Sequence, residues 1–343
     1  MSEPSDREPD LTLPQRMRYW AEAALFFAFI GFFRLFGLDG ASAIGGFIGR
    51  NVFYRVPVMN RARDNLHAAY PEKTGAEIET IIRAMCDNLG RTVAEYAHLG
   101  KLSMVGSDPR IKVSHVEISD RVVAEGKGVM FISGHFANWE VMPFAAAQRG
   151  YEGGEVYRPQ NNPYVDRWLV QQRLKNGPKD QISKGAQGTR RIFTLLRRGK
   201  SIFLLVDQKT NEGLPAPFFG RDAMTTPAPA SLALRLGATL LPVSNERTGG
   251  ARFLMKVYEP IRFEPSGDHD RDVLELTKAI NLAIERAVRE KPEHWLWLHR
   301  RWPTSREQDQ VRGKRAIQTM AGADTARNGV AAEHAKTDSA MMD

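Results

Sequence analysis

His135 and Glu140 stand five positions apart, with four residues between them, in the stretch GVMFISGHFANWEVM, which covers residues 128–142. An imidazole titrates near neutrality and a carboxylate can orient it, so the two residue types together suit proton transfer from a hydroxyl. On one regular helix, side chains five residues apart are about 140° apart around the axis and do not meet. The pair meets if His135 lies on a strand-to-helix turn and Glu140 sits in the first turn of the helix that follows. The carboxylate would then hold one ring nitrogen and fix the tautomer, leaving the other nitrogen free to act as a base. The bland alternative is a surface histidine and a helix-start glutamate favoured by the helix dipole.

The flanking pattern supplies such a turn. An apolar run ends at Ser133-Gly134, and Asn138 is a candidate N-cap for a helix over residues 139–149. Further strands are expected over 111–118, 201–206, 239–243 and 252–258, with a short one from Gly154. Helices are expected over 76–102, 163–176, 188–198, 229–236 and 271–289. Strands alternating with helices indicate an α/β fold with a mixed, mostly parallel sheet flanked by helices. In such sheets, sites assemble at the carboxyl ends of strands. Asp207 and Gln208 close the apolar run IFLLV at such an end. Asp207 there is a contact for substrate, a holder of Arg158, or a turn residue.

The chain has 343 residues, of which 42% are hydrophobic, enough for a substantial core and too many for a wholly disordered chain. Its single cysteine, Cys86, excludes a disulfide framework and a cysteine-based zinc site. Lys and Arg total 48 against 40 Asp and Glu, a net charge of +8 that points to an anionic partner. Residues 157–200 hold eleven Lys or Arg, among them Lys184, Arg190 and Arg191, against two Asp. This run is either a solvated face or a seat for phosphates and acidic partners. Aromatic residues are not interleaved with the bases, so no nucleic-acid partner is expected. His294 and His299 lie near no carboxylate or cysteine set in sequence, so no metal is expected. Trp295, Trp297 and Trp302 with His294, His299, Arg300 and Arg301 read as an aromatic-basic cluster suited to a membrane interface.

Residues 19–38, YWAEAALFFAFIGFFRLFGL, are the most apolar stretch, with 11 uncharged residues from Ala23 to Phe33. A comfortable bilayer span needs ~20. Arginines flank the stretch on both sides, more of them downstream, which places the main domain in the cytoplasm. Ala41-Ser42-Ala43 imitates a signal-peptidase site, but the first ten residues are acidic and Arg34 interrupts the approach to the cut. Residues 1–18 therefore read as a loose leader, 19–40 as a retained N-terminal membrane-anchoring helix or else a buried core helix, 41–306 as the α/β domain and 307–343 as a disordered tail.

GHFANWE resembles the H-x4-D/E motif of the lysophospholipid-type acyltransferase superfamily, and more narrowly the late acyltransferases of lipid A biosynthesis. Four more blocks match in order: YRPQNNPYVD (157–166), ISKGAQGTRRIFTLLRRGKSIFLLVDQ (182–208), PFFGRDAMTTPAPASLALRLGATLLPV (217–243) and PEHWLWLHRRWPT (292–304). One departure is Ala137, where the family commonly has glycine; a methyl group is tolerated there unless the backbone needs positive φ. The resemblance implies an enzyme on the cytoplasmic face of the inner membrane, without metal, cofactor or covalent acyl-enzyme. It would move a fatty acyl chain from acyl carrier protein to a hydroxyl of a Kdo-bearing lipid A precursor. His135 would be the general base, oriented by Glu140, and Arg158 would stabilise the oxyanion or bind a phosphate. Asn138, Asn161, Lys184, Arg190, Asp207, Gln208, Phe219, Arg221 and Thr226 are the expected substrate contacts, with Phe218, Phe219 and Met224 candidates for an acyl groove. Other readings are a glycerolipid or mannoside-glycolipid acyltransferase of the same superfamily, and a non-catalytic basic protein that docks on membranes.

Overall fold

Leu13–Arg34 forms helix α1, begun by a capping box in which Thr12 and Gln15 satisfy each other's end of the first turn. In the computed structural model the chain is described for residues 11–302. The expected leader is thus undescribed over residues 1–10 and helical from Leu13, and the expected tail lies outside the described residues. Arg301 and Trp302 are the described part of a second unit of the chain, and the architecture below is that of the first.

The apolar stretch is not one straight helix. It breaks after Arg34, where Gly37 takes a left-handed φ of 63°, and continues as α2 (Gly37–Asn51) at a bend of 116°. No single described helix is long and apolar enough to cross a membrane; α1 and the following segment pass that test only as a bent pair. One face of α1, with Ala23, Ile30 and Phe33, is buried in the protein. Leu13, Met17, Trp20, Leu25, Phe32, Leu35 and Phe36 remain exposed.

Helices α3 (Met59–Ala69) and α4 (Gly75–Glu95) follow, and α4 runs on as a 3-10 segment, Tyr96–Lys101. Helices α2 and α4 touch backbone to backbone: a Cβ on Gly49 would fall 2.0 Å from the Cys86 carbonyl oxygen, and one on Gly90 2.1 Å from that of Gly45. Glycine is required there by contact. The signal-like Ala41-Ser42 lies buried within α2, where Ser42 Oγ donates to Glu95 at 2.7 Å.

The α/β part then alternates: β1 (Ile111–Ser114), α5 (Val116–Ala124), β2 (Val129–Ser133), α6 (Val141–Gln148), β3 (Gly153–Tyr157), α7 (Pro163–Asn176), β4 (Asp180–Ser183), α8 (Ala186–Arg197), β5 (Ser201–Leu205), the hairpin β6 (Leu214–Phe218) and β7 (Arg221–Thr225), α9 (Ala228–Leu236), β8 (Thr239–Gly249), β9 (Arg252–Val257) and α10 (His269–Glu290). The strand expected over 111–118 stops at Ser114, because His115 adopts a left-handed φ of 55° and opens α5. Seven strands form one sheet in the order β1-β9-β8-β2-β5-β3-β4, parallel except where β8 meets β9.

The central strand β2 (VMFIS) is buried at all five positions, as a parallel strand covered on both faces must be. Phe131, Phe203, Leu241, Val243 and Phe253 pack there against Val141, Phe144 and Ala145 of α6. Each such side chain contributes about 1.5–3 kcal/mol by leaving water.

Candidate active site

Strands β2 and β5 are parallel neighbours with Ser133 opposite Leu205. Two residues beyond that pair, at the carboxyl ends, come His135 and Asp207, so equal offset in register brings them together. Asp207 Oδ2 accepts the His135 backbone N–H at 2.7 Å, and Asp207 Oδ1 lies 2.8 Å from His135 Nδ1. Gly134 permits this approach, since a Cβ there would meet Asp207 Oδ2 at 3.0 Å. The Asp207 side chain is fully buried, whereas that of His135 keeps 14% of its surface in solvent. Burial alone would raise the Asp207 pKa; the His135 imidazole, its backbone N–H and the charge of His299 outweigh that and hold the carboxyl below its usual range.

The carboxylate fixes the tautomer. With Nδ1–H donated to Asp207, the lone pair is on Nε2, and the Gln208 side-chain amide lies 3.3 Å from that nitrogen. A segment far along the chain completes the frame. Trp295 Nε1 donates to Asp207 Oδ2 at 2.8 Å, Leu296 N to His135 O at 3.1 Å, and Ala137 N to His294 O at 2.8 Å. The His299 ring lies edge-on to that of His135, with centroids 4.6 Å apart. His135, Asp207 and His299 hold donor atoms within 4.8 Å of one another. His135 Nδ1 and both Asp207 oxygens take part in the hydrogen bonds just named.

Glu140 does not orient His135. The chain turns at Ala137, whose φ is 44°, and Glu140 caps α6 with its fully buried carboxylate facing elsewhere. Arg173 from α7 grips it with two hydrogen bonds, 2.9 Å from Nε and 2.6 Å from Nη2, and the Tyr96 hydroxyl donates at 2.8 Å. Trp139 links the two clusters: its ring is 5.3 Å from that of His135, and its Nε1–H donates to Tyr96. Glu155 of β3 shares the guanidinium at 3.5 Å; burial raises its pKa despite Arg173.

Arg158 and Arg173 lie in different surroundings. Arg158 is exposed beyond β3, while Arg173 reaches the interior because it follows Leu169 by four residues on the buried face of α7. That spacing was the signal in the sequence. Asn138 is fully buried, with its amide shared between Glu95 and the Glu140 N–H, so it holds the turn and is not open to substrate. Among the expected substrate contacts, Asp207 and Gln208 touch His135. Asn161, Lys184 and Arg190 are exposed, and Arg191 is paired with Asp180. Phe219 is buried beside Tyr70 and Trp297, with Arg289 over its ring, so it packs the interior rather than an open groove. Arg221 opens β7, and Thr226 accepts from the Ala228 N–H at the start of α9. Trp295 and Trp297 are fully buried, which removes them from a membrane interface.

The chain is 26% identical to the lipid A biosynthesis lauroyltransferase of Escherichia coli (strain K12), over 74% of this chain and 80% of that protein. It is 25% identical to the palmitoleoyltransferase of the same strain, over 71% and 78%, and 24% identical to the myristoyltransferase, over 69% and 73%. A family model described as bacterial lipid A biosynthesis acyltransferase matches residues 7–304, and the chain belongs to that family.

Proposed function

We propose that the protein transfers a fatty acyl chain from an acyl carrier protein thioester to a hydroxyl of a Kdo-bearing lipid A precursor, with His135 Nε2 as the base. The observation that carries this reading is the half-buried imidazole whose Nδ1 is committed to Asp207 at 2.8 Å. The acceptor hydroxyl gives its proton to Nε2 as its oxygen attacks the thioester carbonyl carbon. The tetrahedral intermediate then breaks its C–S bond, and the departing thiolate recovers the proton from the imidazolium. The buried Asp207 carboxylate stabilises that imidazolium without itself being protonated. Glu140, Arg173 and Tyr96 hold the neighbouring wall through Trp139.

The exposed apolar face of α1 and α2, carrying Trp20, Leu25, Phe32, Phe36 and Phe47, is the proposed seat on the cytoplasmic face of the inner membrane. Because the opposite face of α1 packs on the domain, the seat lies in the interface rather than across the bilayer.

The test is an assay of purified protein with radiolabelled precursor and acyl carrier protein thioesters. Acylated lipid A precursor is the expected product. Acylation of glycerol phosphate or a mannoside lipid instead would replace the acceptor class, and no transfer to any acceptor would remove the enzymatic reading.

A further inference from the structure

The turn between His135 and Glu140 contains a residue in a costly conformation. Ala137 is 1% exposed and its φ is 44°, in the left-handed region that a Cβ disfavours. Such a conformation persists only where the surroundings over-determine it. Both polar groups of its backbone are held: the N–H by the His294 carbonyl at 2.8 Å, and the carbonyl by Thr92 Oγ1 at 3.0 Å. One turn along α4 from Thr92, Glu95 Oε2 accepts from Asn138 Nδ2 at 3.0 Å, and Asn138 Oδ1 accepts the Glu140 N–H at 3.2 Å. Thr92, Glu95 and Asn138 are all fully buried.

From this arrangement we infer that Thr92 and Glu95 are positioning residues: α4 holds the turn that carries His135 and Glu140 at its two ends. The chemistry of the third member, Arg247 of β8, makes the arrangement directional. Its guanidinium only donates, to Glu95 through Nη1 and Nη2 and to Thr92 Oγ1 at 3.0 Å. With a lone pair taken by Arg247, the Thr92 hydroxyl points its one proton at the Ala137 carbonyl. The Glu95 carboxylate only accepts, so it draws the NH2 group of Asn138 to itself and leaves the amide oxygen for the Glu140 N–H. Ser42 Oγ supplies a further donor to Glu95 at 2.7 Å, and Arg247 lies over the Phe253 ring at 4.7 Å. The proton arrangement of this buried network thus follows from two groups of fixed polarity.

The inference rests on the reading of His135 as the base. Its test is the steady-state kinetics of the full-length enzyme with acyl carrier protein thioester and lipid A precursor. Thr92→Val keeps the shape and removes the hydroxyl. Misplacing a catalytic group by about 1 Å costs on the order of 100-fold, so kcat should fall roughly 10- to 100-fold with KM unchanged. Thr92→Ser should restore kcat. Adding Ala137→Gly should shrink the Thr92→Val loss, because glycine takes the left-handed turn without being held.

Glu95→Gln is the second variant. It keeps the volume but can donate to Asn138 and let that amide flip, and the same kcat-selective loss is expected. A folded Thr92→Val or Glu95→Gln enzyme with normal kcat would overturn the inference. So would a kcat loss that Ala137→Gly leaves undiminished, or failure of both variants to fold, since each assigns the network to general stability. His135→Ala separates the two levels. If that variant is inactive while Thr92→Val is normal, only the positioning role is lost; if it is active, the base itself is wrong.

Discussion

Asp207 grips His135 at two points, the backbone N–H at 2.7 Å and the ring Nδ1 at 2.8 Å. One carboxylate thereby fixes both the position of the residue and the tautomer of its ring. Asp207→Asn can turn an amide N–H toward Nδ1 and leave the proton on Nε2, where no base remains. The expected loss of kcat is on the order of 10²–10⁴-fold. The double variant with His135→Ala should be little worse than His135→Ala alone, because the two act as a unit. Additive losses in single-turnover measurements would contradict the pairing.

Arg158 and Arg173 differ in burial, the first exposed and the second closed in against Glu140. Arg158 is exposed, so Arg158→Ala should change stability by less than about 0.5 kcal/mol and leave kcat close to normal. Arg173→Ala strands a buried carboxylate and should cost about 3–5 kcal/mol. Thermal melts of the two variants check the contrast, which fails if Arg158→Ala is the more damaging.

Glu155 predicts a pH-dependent stability. It is faced by Arg173 from α7, by the Glu140 carboxylate at the start of α6, and by Gln181 from β4. Burial raises its folded pKa above the unfolded value of about 4.3. Its contribution is therefore fully present below that unfolded value and is lost as pH rises through the folded pKa. The Tm of Glu155→Gln relative to the natural chain should climb between pH 5 and pH 8. A difference that stays flat or falls over that interval would refute this.

The apolar face of α1 predicts association with lipid. Replacing exposed Trp20 and Phe32 by Glu should weaken co-sedimentation with anionic vesicles while leaving the circular dichroism spectrum intact. Equal co-sedimentation of the two proteins would remove α1 from the interface.

The layers of the fold were legible because β2, β5 and β8 are buried parallel strands that read as apolar runs, and α10 keeps a helical period throughout. The strand end at Ser133-Gly134 located His135 correctly. Its partner was not legible, since Asp207 lies 72 residues away and reaches His135 through strand register. Local spacing pointed to Glu140 instead, and the left-handed turn at Ala137, invisible in residue types, sends that side chain to Arg173. The hairpin of β6 and β7 escaped notice because two prolines interrupt its strand pattern. The tryptophans near 295 read as interfacial because composition does not distinguish a buried polar frame from a membrane edge; Trp295 is buried with its N–H on Asp207.

The most direct test of the central claim is kcat of His135→Ala in the purified full-length enzyme, with acyl carrier protein thioester as donor, lipid A precursor as acceptor and circular dichroism as the folding control. General-base catalysis predicts a loss on the order of 10²–10⁴-fold, or ~3–5 kcal/mol at 1.36 kcal/mol per tenfold, with the spectrum unchanged. A folded His135→Ala enzyme that turns over at close to the natural rate would contradict it.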